Sequence, residues 1–128
     1  CYVKFQYSFP SSSCLQFIGE VSYPMVKYYY SISDALLFLS SYESYGLPLL
    51  EAAKFSKPAL CPSKSYATKL LGHSPYYFTL TRSLPSTLIS LHRALCQLSL
   101  DLRSGRSVVI AQPMLELQPF SKLKSFLA

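Results

Sequence analysis

Ala35-Leu36-Leu37-Phe38-Leu39, then Ser40-Ser41-Tyr42-Glu43-Ser44-Tyr45-Gly46-Leu47-Pro48-Leu49-Leu50-Glu51-Ala52-Ala53, is the stretch whose reading decides the fold. Its first five residues are apolar, too few for a helix and without polar alternation. That pattern predicts a central parallel strand buried on both faces. A turn-like segment, Ser40 to Gly46, ends the strand. Pro48 then marks the first position of a helix reaching about Phe55, because its missing N–H would have had no partner there.

Outward from this core the same alternation continues. Ala59-Leu60-Cys61 reads as another short strand, bounded by Pro58 and Pro62. A helix is expected from about Ser65, placed as its N-cap, to Leu71, with Gly72 as its stop. Tyr76-Tyr77-Phe78 reads as a short edge strand. Leu84, Leu88, Leu91, Leu95 and Leu98 then recur at spacings of four and three, the apolar stripe of an amphipathic helix. On the other side, Leu15 to Ile18 reads as a strand ended by Gly19, and Cys1 to Phe9 as strand-like. Phe120 to Leu127 is expected to form a terminal helix. Strands alternating with helices through short Pro/Gly turns imply an α/β fold, a Rossmann-like parallel sheet with flanking helices.

The chain has 128 residues, half of them hydrophobic, which suits one domain or part of one and argues against disorder. A membrane-spanning helix is excluded, since the longest apolar run is Ala35 to Leu39 and about 18 residues are needed. No basic start leads into an apolar segment, so no signal peptide is expected. With Cys1 in place of Met, an excised piece or a truncated frame is expected. Cys1, Cys14, Cys61 and Cys96 form no C-x-x-C pair, which predicts reduced, mostly buried thiols in a cytoplasmic protein. His73 and His92 lack a partner at useful spacing and read as structural or surface residues.

The formal net charge of +6 lies wholly between Ala52 and Leu100, where Lys54, Lys57, Lys64, Lys69, Arg82 and Arg93 face no acid. Such a segment favours an anionic partner: a phosphate-bearing ligand, an anionic membrane surface or nucleic acid. Solvated surface bases are the plainer reading. No nucleic-acid module pattern is present, so nucleic acid is the rival and not the expected partner.

In an open parallel sheet, ligands sit beyond the carboxyl ends of strands, near helix N-termini, which directs attention to Ser40–Leu47. Glu43 and Glu51 stand on either side of the helix start with seven residues between them. The backbone amides from Ser44 to Leu47 can point at an anion there, aided by the helix dipole. Gly46 permits a tight bend or close approach. A carboxylate suits a vicinal diol, because it accepts two hydrogen bonds. One acid for a hexose, one for a ribose and amides for a diphosphate would together grip a nucleotide sugar. Two dipole-favouring surface acids would show the same spacing. Tyr28 to Tyr30 are expected as core or interface packing.

Beyond this spacing, the chain resembles a known family. Phe17-Ile18-Gly19-Glu20-Val21, Tyr29 to Leu39, Ser41 to Ala53, Lys57-Pro58 and Leu70-Leu71-Gly72 occur in the order seen in retaining glycosyltransferases of the family 4 type with GT-B architecture. The likeness is to their C-terminal, nucleotide-sugar-binding domain, and Phe120-Ser121 resembles the start of the family's closing helix. The resemblance implies a donor such as a UDP- or GDP-sugar, transfer with retention, and no metal or other cofactor. It implies that Glu43 hydrogen-bonds the donor sugar as an orienting and electrostatic catalytic group. By the same resemblance, Ser44, Tyr45, Gly46 and Leu47 meet the sugar and diphosphate, and Glu51 the ribose.

The whole chain, residues 1–128, is then part of one donor-binding domain. The family's Gly-rich loop, its diphosphate-clamping Arg and Lys, and the acceptor domain are expected upstream of Cys1. A glycan or lipid-linked acceptor is implied, with peripheral contact at the inner face of a membrane left open. The isolated chain is not expected to catalyse; an inactive remnant or a basic anion-binding piece is the alternative. Several positions depart from the family. Ser40 replaces a usual Pro, Ser44 a frequent Gly, Lys69 a Glu and Lys122 a Trp. Ser56 stands where Gly commonly ends the helix, at about 1 kcal/mol if that residue is left-handed.

Overall fold

The computed structural model describes residues 16, 18–74 and 76–107. Their elements run α1 (Tyr23–Ile32), β1 (Leu36–Leu37), α2 (Leu47–Lys54), β2 (Ala59–Pro62), α3 (Ser65–Leu71), β3 (Tyr77–Phe78) and α4 (Leu84–Ser104). The three strands form a parallel sheet in the order β1-β2-β3. Leu36 is in register with Ala59 and Leu37 with Leu60; Cys61 pairs with Tyr77 and Pro62 with Phe78. The fold is α/β, a parallel sheet flanked by helices, as the alternating pattern predicts.

Side-chain alternation along the strands sorts the core into two layers. Ala59 and Cys61 pack with Leu49 and Ala52 of α2 and with Ala67 and Leu71 of α3. Leu60, Tyr76 and Phe78 point the other way, against Ala94 and Leu98 of α4. β2 is buried along its whole length, so it is the two-faced central strand of the described sheet.

The strand at Ala35–Leu39 is therefore corrected: it pairs over two residues and lies at an edge of the described sheet. Leu36 and Phe38 turn toward the α2/α3 layer, but Leu37 and Leu39 remain 52% and 55% exposed. An uninterrupted apolar run conceals which alternate residues face outward, and rank in a sheet depends on neighbours remote in sequence.

Other expectations need smaller corrections. Pro48 is the second, not the first, residue of α2, though neither position offers a partner for the missing N–H. Ser65 is the first residue inside α3; the extended Lys64 occupies the N-cap after a turn closed by its N–H on the Pro62 carbonyl. The α4 stripe packs through Leu91, Leu95 and Leu98 together with Ala94, whereas Leu84 and Leu88 are exposed at its start. α1 is an element that the sequence reading lacks. Pro24 suits its first turn, and Ser33 closes its end by giving both its N–H and its hydroxyl to the Tyr29 carbonyl.

Gln16 and Ile18 belong to no element, while Leu15 and Phe17 lie outside the described residues. The expected strand at Cys1–Phe9 and helix at Phe120–Leu127 lie outside them as well. No described helix is long and apolar enough to cross a membrane.

Candidate functional site

The end of α2 nearest the loop is built around one glycine. Gly46 caps the helix in the left-handed conformation, φ +62°, with its carbonyl accepting from the Leu49 and Leu50 amides. It is also buried: a β-carbon there would stand 2.8 Å from Leu70 Cδ1 and 3.4 Å from Tyr66 Cδ2. Both reasons for glycine thus operate at one residue, conformation and close approach. Just ahead, Ser44 and Tyr45 are exposed and Glu43 is half-buried.

Among the described residues, nothing accepts from the amides of Ser44, Tyr45, Gly46 and Leu47, and Pro48 has no N–H. Unpartnered donors at the positive end of a helix suit an anion. Tyr42 and Tyr45 flank them, 87% and 73% exposed.

Both sequence-derived acids border this end of α2, each half-buried. Glu51 lies deeper than the spacing suggests, as the fifth helical residue, and the first turn carries no acid. Its carboxylate lies against Tyr30 of α1. Burial first, then the Glu51 charge and its hydrogen bond, push the Tyr30 hydroxyl well above its ordinary range. That hydroxyl donates to the Pro48 carbonyl at 3.2 Å, and the Tyr30 ring stacks on Phe55 at 5.5 Å. The packing role expected of the tyrosine cluster holds for Tyr30, while Tyr28 is exposed.

Glu43 has its own neighbour, Tyr66 in the first turn of α3. Burial, then Cys61, then Glu43 raise the Tyr66 hydroxyl above its usual value. It donates to the Ser40 carbonyl at 2.6 Å, and its ring meets Phe38 edge-on at 6.3 Å. Tyr66 and Tyr30 are the site neighbours that sequence reasoning undervalued. Their partners lie 26 and 18 residues away, so no local pattern announces them.

The remaining candidates separate from this place. Lys54, Lys64, Lys69, Arg82 and Arg93 are exposed, and the Lys57 ammonium donates to the Ser31 carbonyl at 3.2 Å. Cys61 is buried and Cys96 exposed, so burial of the thiols holds for one of the two described; Cys1 and Cys14 lie outside the described residues. His73 and His92 are exposed, though His92 is corrected in one respect: Cys96, one helical turn on in α4, brings its thiol within 3.6 Å of the ring. No cluster fit for a metal occurs among the described residues. An open pocket of about 300 Å³ lies between β3 and α4, lined by Tyr77, Ser86, Ile89, Ser90, Arg93 and Ala94. It shares no residue with the loop before α2. Shape alone would direct attention there, whereas the unpartnered amides and the two acids sit at α2.

Residues 12–74, just under half of the chain, match the family described as glycosyl transferases group 1. That span contains α1, β1, the loop, α2, β2 and α3. The curated proteins and the solved structures compared with the chain gave no match.

Proposed function

We propose, starting from the glycosyltransferase group 1 domain segment that residues 12–74 carry, that this chain is the donor-side part of a sugar-transferring enzyme. The observation that carries the reading is the set of unpartnered amides from Ser44 to Leu47, bordered by Glu43 and Glu51, inside the matched span. The donor is a nucleotide sugar, of the UDP or GDP type. The amides and the dipole of α2 take the diphosphate, because a helix start offers fixed donors without side-chain ordering. Glu43 holds donor-sugar hydroxyls and steadies charge during transfer with retention; Glu51 holds the ribose diol.

In this reading the 128 residues are part of one donor-binding domain working without a metal or other cofactor. Catalysis also requires an acceptor domain, which presents a glycan or lipid-linked acceptor. The enzyme works in the cytoplasm, with peripheral contact at a membrane where the acceptor is lipid-linked.

A panel of UDP- and GDP-sugars, followed by ligand-observed NMR with the wild-type chain and Glu51→Ala, tests the proposal. Binding of one nucleotide class that Glu51→Ala abolishes is the expected result. Salt-sensitive binding of any oligonucleotide, indifferent to Glu51→Ala, would instead support a basic anion-binding surface.

A further inference from the structure

We propose that Tyr66 is the positioning residue of the donor loop: one side chain on α3 fixes both ends of residues 40–46 and so aims the amides before α2. This rests on the nucleotide-sugar reading of that loop. At the incoming end, the Tyr66 hydroxyl donates to the Ser40 carbonyl at 2.6 Å, and its ring meets Phe38 edge-on. At the outgoing end, the same ring lies 3.4 Å from the point where a Gly46 β-carbon would stand. Between these ends, the loop's internal hydrogen bond among the described residues is Ser40 Oγ to the Tyr42 carbonyl, 2.8 Å. Tyr42 and Tyr45 point into solvent, so packing of the loop's own large side chains does not place it.

The division of labour within Tyr66 makes the idea testable. Its ring belongs to the core contact with α2 and α3, whereas its hydroxyl reaches only the loop. The hydroxyl stays protonated at neutral pH, since burial and the nearby Glu43 both oppose ionisation. Tyr66→Phe keeps the ring and removes the hydroxyl. A neutral hydrogen bond of ordinary net strength shifts a local equilibrium about fivefold, so the competent loop population falls by at most about that factor.

The test uses the whole chain, with UDP as the probe. Backbone ¹⁵N relaxation reports order in residues 41–46, and a UDP titration reports affinity. For Tyr66→Phe the expected result is lower order in the loop, unchanged order at Leu60 and Cys61, and a measurably weaker Kd, by at most about fivefold. Tyr77→Phe is the control: it removes a hydroxyl bonded to the Gly72 carbonyl at 2.8 Å and, more weakly, to the Ala67 carbonyl at 3.4 Å, with no bond to residues 40–46, and leaves loop order and UDP affinity unchanged. An equally ordered loop and equal affinity in Tyr66→Phe, with wild type binding UDP, overturns the positioning role and leaves the donor reading standing. GDP is titrated in parallel and replaces UDP in every comparison if it alone binds; binding of neither nucleotide by wild type overturns the donor reading and the functional role of Tyr66 with it.

Discussion

Replacing Gly46 by Ala tests the part of the structure on which the site depends. The left-handed conformation at φ +62° costs an L-residue about 1–2 kcal/mol, partly offset by the lower chain entropy of Ala in the unfolded state. The new methyl would sit 2.8 Å from Leu70 Cδ1, well inside ordinary contact. Because that atom ends a flexible side chain, Leu70 can turn aside, for about 1 kcal/mol of rotamer strain. Together these give a loss of about 2 kcal/mol, or about 8 °C in Tm for a chain of this size. Gly105→Ala separates the two contributions. Gly105 has φ +67° but nothing within 4 Å of a β-carbon, so it carries only the conformational penalty. Thermal denaturation followed by circular dichroism should rank wild type above Gly105→Ala, and Gly105→Ala above Gly46→Ala. A Gly46→Ala chain as stable as Gly105→Ala would refute the close approach of α3 to the helix start.

The other end of α2 gives the opposite prediction. Ser56 is left-handed, φ +54°, with its N–H on the Ala53 carbonyl and the Lys57 N–H on that of Ala52, so Ser56→Gly should stabilise by about 1 kcal/mol in urea unfolding. Cys61 is buried with its thiol pushed up to about 12, whereas Cys96 is exposed; iodoacetamide should label Cys96 first and Cys61 only on unfolding, read by peptide mass spectrometry. Burial, mainly, also raises Tyr77, to about 12. Both groups favour their neutral forms in the fold, so their contributions are complete below the ordinary values of 9.0 and 10.0 and decline as pH climbs toward 12. Stability measured by denaturant unfolding should therefore fall across that alkaline window. Tyr76 is fully buried and donates to Asp101 Oδ2 at 2.9 Å, tying the residue just before β3 to α4; Tyr76→Phe should lower stability by about 1–2 kcal/mol.

Much of this architecture is legible in the sequence, where local chemistry decides it. Pro58 and Pro62 bracket β2, Gly72 stops α3, and Gly46 with Pro48 marks the start of α2. Even the strained Ser56 is visible as a serine where helices prefer glycine. The obscure features are those fixed by distant partners. α1 carries a run of tyrosines without a clean helical period, and Tyr30 finds its place against Phe55, Pro48 and Glu51 only after folding. Tyr66 acts likewise on Ser40, across 26 residues. The edge position of β1 in the described sheet depends on strand order, which the apolar run at 35–39 cannot encode. Within the site, Glu43, Gly46 and Glu51 are readable as a spaced set, but the tyrosines beside the acids are not.

The central claim is that a nucleotide sugar binds at the start of α2, and its most direct test is a backbone-amide NMR titration of the whole chain with UDP and GDP. The account predicts that the amides of Ser44, Tyr45, Gly46 and Leu47 move first and saturate together, and that Glu51→Ala abolishes the response. Shifts centred on Ser86, Ser90 and Arg93, or a response at the loop that survives Glu51→Ala unchanged, would contradict it.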